Sequence, residues 1–503
     1  MIDPVAAPPQ TAPTRAGVAR AVSWMGIGHV ASQGLFFASL IVLAALLPPR
    51  AFGSVATGMV LVNLAGLLVD SGTRGSIIAT PELTRADLRG AVALNVGVGL
   101  AATVAIAALA GPIVGTFAGG GDAAVIRVLS IGVVVYAVGI SPLALMQKGI
   151  QFKRFAAVNI FAATASSVAG IAAGLAGAGV WALVVRQLTS MALLSAAAWI
   201  AARDLVPPHD AADQRRVRLR QAGWAGFFAL ALTDFIALNT DFLVVGHLSR
   251  ATGLGLYSLA FTLAFAPLTQ VSWQIGRVLF PAAAATESLE TVGRRTLVAL
   301  RLMGLLLLPF VVPVVVLAPS LVPGVLGDEW KPMVAPFQIL LCVGVGHALV
   351  GMIGESLSGT GNIGFRARVN AVWAVGMVGA LIVLVNLDGI RGAALAHAAL
   401  FGPFAAAYVV LGARKLGENG RRVLGALAPI ALAVAAQALV TVGALNALEA
   451  LGAAPLPAAA IGTAAGGAVI AALLLRLPSS PLREGRAVFG DAIGGGGSAT
   501  AAT

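Results

Sequence analysis

The sequence predicts an all-α integral membrane protein of about 14 transmembrane helices, and three observations support that prediction. The 503 residues are 59% hydrophobic and 10% charged, with a mean hydropathy of +0.95. A water-soluble fold could not bury that much apolar surface. The apolar residues also form long runs, and the basic residues cluster between them. The net charge of +12 therefore indicates a membrane orientation rather than binding to nucleic acid.

Fourteen runs have about the 20 residues that a helix needs to cross the hydrocarbon core, and charged residues, Pro or Gly bound each run. The first run is too long for the apolar part of a secretory signal, so we expect it to be retained as a helix. The predicted helices cover residues 20–47, 51–71, 90–117, 124–146, 155–176, 180–201, 222–247, 253–276, 296–320, 333–358, 368–386, 390–412, 423–445 and 455–475.

The distribution of basic residues predicts the orientation of these helices. Alternate connections hold 25 of the 32 Lys and Arg, whereas the remaining connections hold only Arg50, Arg250, Lys331 and Arg391. Because Lys and Arg accumulate in cytoplasmic loops, both termini are predicted to be cytoplasmic and the protein to lie in the bacterial inner membrane. The seven Trp lie near predicted helix ends, where interfacial anchoring is expected.

An internal repeat predicts two similar bundles. Residues 50–56 resemble residues 252–258, and residues 177–184 resemble residues 389–396. Six helices per repeat preserve orientation, so the bundles are predicted to be parallel repeats about an axis along the membrane normal. The expected parts are a disordered cytoplasmic N-terminus at 1–19, an N-lobe at 20–201, a cytoplasmic linker at 202–221, a C-lobe at 222–412, two further helices at 423–475 and a disordered cytoplasmic tail at 476–503.

The residues that an enzyme would need are largely missing from the sequence. None of the four Lys precedes Ser or Thr, which excludes a Walker A phosphate loop, and no His precedes Glu, which excludes the HExxH zinc motif. The single cysteine, Cys342, excludes an intrachain disulfide and is expected to be a small buried side chain. We therefore expect a transporter without a cofactor or metal rather than an enzyme.

Predicted helix seven carries two carboxylates in an apolar run. Asp234 and Asp241 lie seven residues apart on one helix face, about 10 Å from each other. A charge in hydrocarbon costs about 2.5 to 3.5 kcal/mol unless it faces protein or water. Asp234 is therefore a candidate for cavity lining or ion coupling, with a structural hydrogen bond as the alternative. For Asp241, a structural cap or a gate contact is an equally good interpretation.

Two arginines lie well inside predicted helices. Arg186 lies roughly 9 Å from the periplasmic start of helix six, where it either faces the cavity or extends toward the interface. A guanidinium in the cavity would offer forked donors to a pyrophosphate. Arg301 enters helix nine from the cytoplasmic side, and the same two interpretations apply to it.

Neutral polar residues form two further candidate groups. His29 and Gln33 share a face of helix one, and Gln270 and Gln274 share a face of helix eight. Both pairs are candidates for lining a cavity, and the glutamines could contact sugar hydroxyls. Packing of the histidine, and hydrogen bonds between helices for the glutamines, are the alternatives.

Several segments resemble, in order and spacing, the Wzx-type polysaccharide flippases of the MOP exporter superfamily, especially the colanic-acid exporter branch. The resemblance implies two six-helix lobes around a central cavity, and alternating access that moves a polyprenyl-pyrophosphate-linked oligosaccharide to the periplasmic leaflet. The segments are Phe52-Gly53, 147–155, 177–184, 241–246, 255–258, Phe280-Pro281 and 327–330.

The same resemblance implies the partners. They are the lipid-linked oligosaccharide, membrane lipids, and a polysaccharide polymerase with its export machinery, and the chain is expected to be a monomer that binds no nucleic acid. Two alternatives stay open: a drug or cation antiporter of the same superfamily, and a flippase for a lipid-linked peptidoglycan precursor.

Overall fold

The computed structural model describes residues 15–70, 73–80, 82–117, 121–208, 224–284, 288–452, 457 and 461–468. These residues are almost entirely helical, and no strand occurs among them. Of the predicted disordered segments 1–19 and 476–503, residues 1–14 and 476–503 lie outside the described residues, as does most of the predicted linker, whereas residues 15–19 are helical. The first helix begins at Arg15, five residues before the predicted start.

The fold consists of long α-helices joined by short connections, together with the two short helices α3 and α12. Short 3₁₀ helices lie at Arg203–Leu205 and Asp328–Met333, and a π-helical segment follows α11 at Ala407–Gly412. The helices are α1 (Arg15–Leu46), α2 (Pro49–Asp70), α3 (Thr73–Ala79), α4 (Arg85–Phe117), α5 (Ala123–Lys148), α6 (Phe152–Leu175), α7 (Val180–Ala201), α8 (Trp224–Ala284), α9 (Leu289–Leu326), α10 (Val334–Gly359), α11 (Ile363–Ala406), α12 (Ala413–Lys415) and α13 (Gly420–Ala450).

Two of these helices contain a break. The backbone of Arg250 in α8 has φ 60° and ψ −176°, and that of Gly389 in α11 has φ 53° and ψ −132°. Neither conformation continues an α-helix. The breaks lie where the sequence predicts the connections between helices seven and eight and between helices eleven and twelve.

The described residues contain 11 helices long and apolar enough to cross a membrane, including the two broken ones. The chain is therefore a multi-pass membrane protein. The predicted count of 14 is not confirmed, because most of the last predicted helix lies outside the described residues; only residues 461–468 of it form a described helical segment.

Helix α9 differs most from its prediction. It runs from Leu289 to Leu326 rather than over 296–320, and the Ser288 side chain caps it by accepting a hydrogen bond from the Thr291 amide. The extra residues at its start include charged side chains, which a search for apolar runs excludes. Short helix α3 went unpredicted for a similar reason: at seven residues it is too short to span a bilayer.

The helices pack as two lobes. Helices α1, α2 and α4 to α7 pack against one another, and α8, α10 and α11 form a second group against which α9 packs; α13 packs on α9. Large apolar side chains are exposed around both groups, among them Val30, Val168, Val375 and Leu439. In a bilayer these side chains contact the lipid tails, so this apolar surface is not exposed to water.

Two predictions about single side chains are wrong. Trp330 and Trp373 are 1% and 6% exposed rather than interfacial, because helices pack over both. Cys342 is exposed rather than buried, since α10 presents it on its outer surface. Hydropathy predicts that a side chain lies in apolar surroundings, but it does not distinguish protein interior from lipid.

Candidate functional site

The two lobes meet at a contact between the starts of α2 and of the second half of α8, which we call the lobe junction (residues 49–53 and 251–255). A β-carbon on Gly53 would clash with the Ala251 carbonyl oxygen and lie 2.9 Å from the Gly255 nitrogen. A β-carbon on Gly255 would clash with the Pro49 carbonyl oxygen and lie 3.0 Å from the Gly53 nitrogen. The backbones touch, so glycine is required at both positions.

The contacts at the lobe junction are reciprocal. Gly53 and Gly255 are equivalent in the sequence repeat, and so are Pro49 and Ala251, because each pair is separated by 202 residues. Gly53 lies against the Ala251 carbonyl, and Gly255 lies against the Pro49 carbonyl. Each glycine therefore meets the same position of the other segment. A two-fold relation between the repeats places equivalent residues opposite each other in this way.

Trp330 strengthens the contact near the lobe junction. It follows α9 in the C-lobe, and its indole N–H donates a hydrogen bond of 3.0 Å to the Ala44 carbonyl of α1. Its ring packs edge-on against Phe52 of α2, with 5.2 Å between the ring centroids. The side chain therefore joins the C-lobe to two helices of the N-lobe.

A second contact between the lobes lies deeper in the predicted membrane. The Nε2 atom of His29 in α1 lies 2.8 Å from the Oε1 atom of Gln270 in α8. The sequence predicts both residues as cavity-lining candidates, and the structure brings them together across the two lobes. Both side chains are half-buried, and their contact joins α1 to α8.

A polar cavity of about 190 Å³ lies inside the N-lobe, between α1, α6 and α7. Arg186 lines it and is 6% exposed. Its Nε atom donates to the Ser39 hydroxyl at 3.0 Å and its Nη2 atom donates to the Phe36 carbonyl at 3.3 Å. Two candidates from the sequence, Arg186 and Gln33, therefore share one cavity, which lies within a single lobe.

The first and last helices of the C-lobe are joined by a buried polar cluster. Asp241 in α8 accepts a hydrogen bond of 2.6 Å from the Tyr257 hydroxyl, and its Oδ2 atom lies 3.3 Å from Nε2 of His397 in α11. All three side chains are 0% exposed. The cluster fixes the two halves of α8 across the break at Arg250, which agrees with the structural interpretation of Asp241.

Sequence reasoning missed a second cavity, of about 150 Å³, inside the C-lobe between α8, α10 and α11. Glu355 and Arg366 line it and form an ion pair of 3.1 Å. Arg366 also donates to the Ser358 hydroxyl at 3.0 Å. The available signal was an acid near the end of one helix and a base near the start of the next, but polar residues at helix ends are common.

The other three predicted site residues take part in none of the contacts and cavities described above. Asp234 and Gln274 lie in α8, at positions whose side chains fall outside the described ones. Arg301 lies half-buried in α9. Among the residues that the structure describes, no group of three or more His, Cys, Asp or Glu side chains could hold a metal ion.

The helices and cavities define a two-lobed, multi-pass membrane protein. The family described as "Polysaccharide biosynthesis protein" matches residues 42–335, more than half of the 503 residues, and the chain belongs to this family. The lipopolysaccharide biosynthesis protein WzxC of Escherichia coli (strain K12) is 26% identical over 380 residues, which cover 74% of this chain and 76% of that protein. The succinoglycan biosynthesis transport protein ExoT of Rhizobium meliloti (strain 1021) is 23% identical over 265 residues, 52% of this chain and 53% of that protein.

The fold also has a solved counterpart. The lipid II flippase MurJ in its inward closed conformation aligns with a TM-score of 0.70 at 10% identity, over 89% of this chain and 97% of that one. Identity at that level shows a shared fold and no more. Together these comparisons confirm the predicted all-α, two-lobed fold class and the resemblance to Wzx-type polysaccharide flippases.

Proposed function

We propose that the chain is a flippase that carries polyprenyl-pyrophosphate-linked oligosaccharide repeat units across the bacterial inner membrane, for the synthesis of surface or secreted polysaccharide. The observation that carries this proposal is the family match over residues 42–335. That range runs from the end of α1 to the start of α10 and so includes parts of both lobes. The transport role named for one relative, ExoT, supports the same function.

The proposed mechanism is alternating access of the two lobes. With both termini in the cytoplasm, the lobe junction faces the periplasm, and the glycan and pyrophosphate enter between the lobes from the cytoplasmic side. Separation of the lobe junction then releases them to the periplasmic leaflet while the lipid tail stays in the bilayer. Without a Walker A loop, the energy comes from an ion gradient or from mass action.

Deletion of the gene tests this proposal, because the alternatives leave different products. A strain without the flippase still assembles the sugar, so full-length lipid-linked repeat units accumulate and external polysaccharide falls. Loss of a drug antiporter leaves polysaccharide unchanged and sensitises cells to cationic compounds. Loss of a peptidoglycan-precursor flippase accumulates that precursor instead. Mass analysis of the extracted lipid fraction separates these outcomes, and normal polysaccharide without accumulated units would refute the proposal.

Reconstitution tests whether transport alone is sufficient. In proteoliposomes with labelled lipid-linked repeat units, the protein should move the glycan between leaflets and leave its composition unchanged. Access of a membrane-impermeant glycosidase to the glycan reports the movement, and empty liposomes are the control. Shortened or extended glycans would indicate an enzyme instead.

A further inference from the structure

The N-lobe cavity contains a buried positive charge that no described carboxylate balances. Arg186 is 6% exposed, and its printed hydrogen bonds go to a hydroxyl and a backbone carbonyl, both neutral. Its guanidinium carbon also lies 4.3 Å from the centroid of the Phe36 ring. These two hydrogen bonds use two of the five N–H groups of a guanidinium. The Nη1 atom donates to none of the described residues and remains available to a ligand.

The C-lobe cavity contains a half-buried arginine that is paired with a carboxylate. There, Arg366 pairs with Glu355 at 3.1 Å, so the cavity carries no net charge from these two groups. The N-lobe cavity has no Asp or Glu among the described residues that line it. Because a buried charge is costly unless it is paired, Arg186 provides a driving force for binding an anion.

Neutral donors complete the lining of the N-lobe cavity. Gln33 on α1, together with Gln187 and Ser190 on α7, lines the cavity and makes no hydrogen bond with the described residues. About 10 to 15 Å³ is enough to hold one water molecule, so a cavity of about 190 Å³ has room for a polyatomic ion. A forked guanidinium with several further donors suits a ligand that presents several oxygens.

We propose that the N-lobe cavity, between α1, α6 and α7, is a binding site for a phosphate-class oxyanion, with Arg186 as its charged ligand and Gln33, Gln187 and Ser190 as neutral donors. The anion has two chemical sources, free phosphate and the pyrophosphate of a lipid carrier. With the second source, the site deepens the proposed function and rests on it. The site lies within one lobe, so binding does not require the lobes to close on each other.

Direct binding to the full-length protein in detergent tests the site. In a phosphate-free buffer, labelled orthophosphate should bind with saturation at one ion per chain, and unlabelled pyrophosphate should displace it. Arg186→Gln should weaken binding by about tenfold or more, since a charge-assisted partner is lost. Arg186→Lys keeps the charge but loses the forked donor geometry of the guanidinium, so its affinity for phosphate should lie between those of the wild type and Arg186→Gln. Arg127→Gln removes an exposed arginine of the same lobe and should bind as the wild type does.

A second variant guards against misfolding of the arginine mutants. Ser190 lies one turn from Arg186 on α7, so Ser190→Asp places a carboxylate beside the guanidinium and supplies the missing counter-charge. This variant should remain folded by circular dichroism and gel filtration and should lose phosphate binding. Absence of saturable binding in the wild type, or unchanged binding in Arg186→Gln or in Ser190→Asp, would overturn the proposal.

Competition identifies the source of the anion. Polyprenyl pyrophosphate in mixed micelles should displace the labelled phosphate if the lipid headgroup reaches the cavity, and should leave it bound if the site takes free phosphate. Either result retains the oxyanion site. The binding measurement is independent of transport. Failure of the deletion test would therefore refute the flippase proposal without affecting the anion site, and failure of the binding test would refute the anion site without affecting the flippase proposal.

Discussion

Replacement of Gly53 by Ala should open the lobe junction. The new methyl group would lie 2.9 Å from the Gly255 nitrogen and would clash with the Ala251 carbonyl oxygen, whereas non-bonded carbon contacts prefer about 3.5 to 4.0 Å. Neither contact involves a flexible side chain, so the two backbones must separate. Alanine also favours the helix over glycine by about 1 kcal/mol. Because α2 is helical in both the closed and the open arrangement of the lobe junction, this gain does not change the equilibrium between them.

The remaining steric term sets the size of the effect. Overpacking a close contact costs about 1 to 3 kcal/mol, and each 1.4 kcal/mol changes an equilibrium constant about tenfold. The ratio of closed to open lobe junction should therefore fall by roughly 5- to 150-fold. A protein that must alternate between the two arrangements should then transport more slowly, because its closed state is depleted.

Spin-label distances measure this shift directly. Cys342 is replaced by Ser, and labels are placed through cysteines at Arg50 and Thr252, two exposed positions on opposite lobes. Gly53→Ala should lengthen the distance distribution. Gly66→Ala is the matched control on α2, because its β-carbon would lie 3.6 Å from the Tyr136 ring, an ordinary contact. The same distribution in Gly53→Ala and wild type would refute the interpretation of the lobe junction.

Three further predictions concern orientation and buried contacts. A cysteine at Arg421 should react with an impermeant thiol reagent only from the cytoplasm, and one at Arg250 only from the periplasm; the reverse pattern would contradict the orientation. Asp241→Asn replaces one of the two oxygen atoms that contact the buried Tyr257 hydroxyl, the His397 ring and the Phe242 amide, so it should lower stability by about 1 to 3 kcal/mol, and unchanged thermal unfolding in detergent would contradict the cluster's role. Trp330→Phe keeps an aromatic ring beside Phe52 but loses the indole N–H, so it should cost about 1 kcal/mol. Circular dichroism on heating measures that loss, which wild-type stability would contradict.

The resemblance between residues 50–56 and 252–258 predicted a duplicated fold, and the structure shows what the duplicated residues do. A short repeat around glycine is visible in sequence because the same residue types recur at the same spacing. That Gly53 and Gly255 touch each other depends on how the two lobes dock. Docking is set by contacts between segments far apart in the chain, and no local pattern encodes it.

The sequence by itself determined the membrane class and most helix positions, because burial in lipid requires apolar runs of a fixed length and charges mark their ends. It also identified Arg186 and Asp241 as exceptional, since charges are costly in such runs. Only the tertiary structure decided their surroundings: Asp241 meets His397, 156 residues away, and Arg186 meets Ser39, 147 residues away. Helix periodicity gives the face on which a residue lies, but the neighbour on that face follows from packing between helices, which the apolar pattern of a membrane protein leaves undetermined.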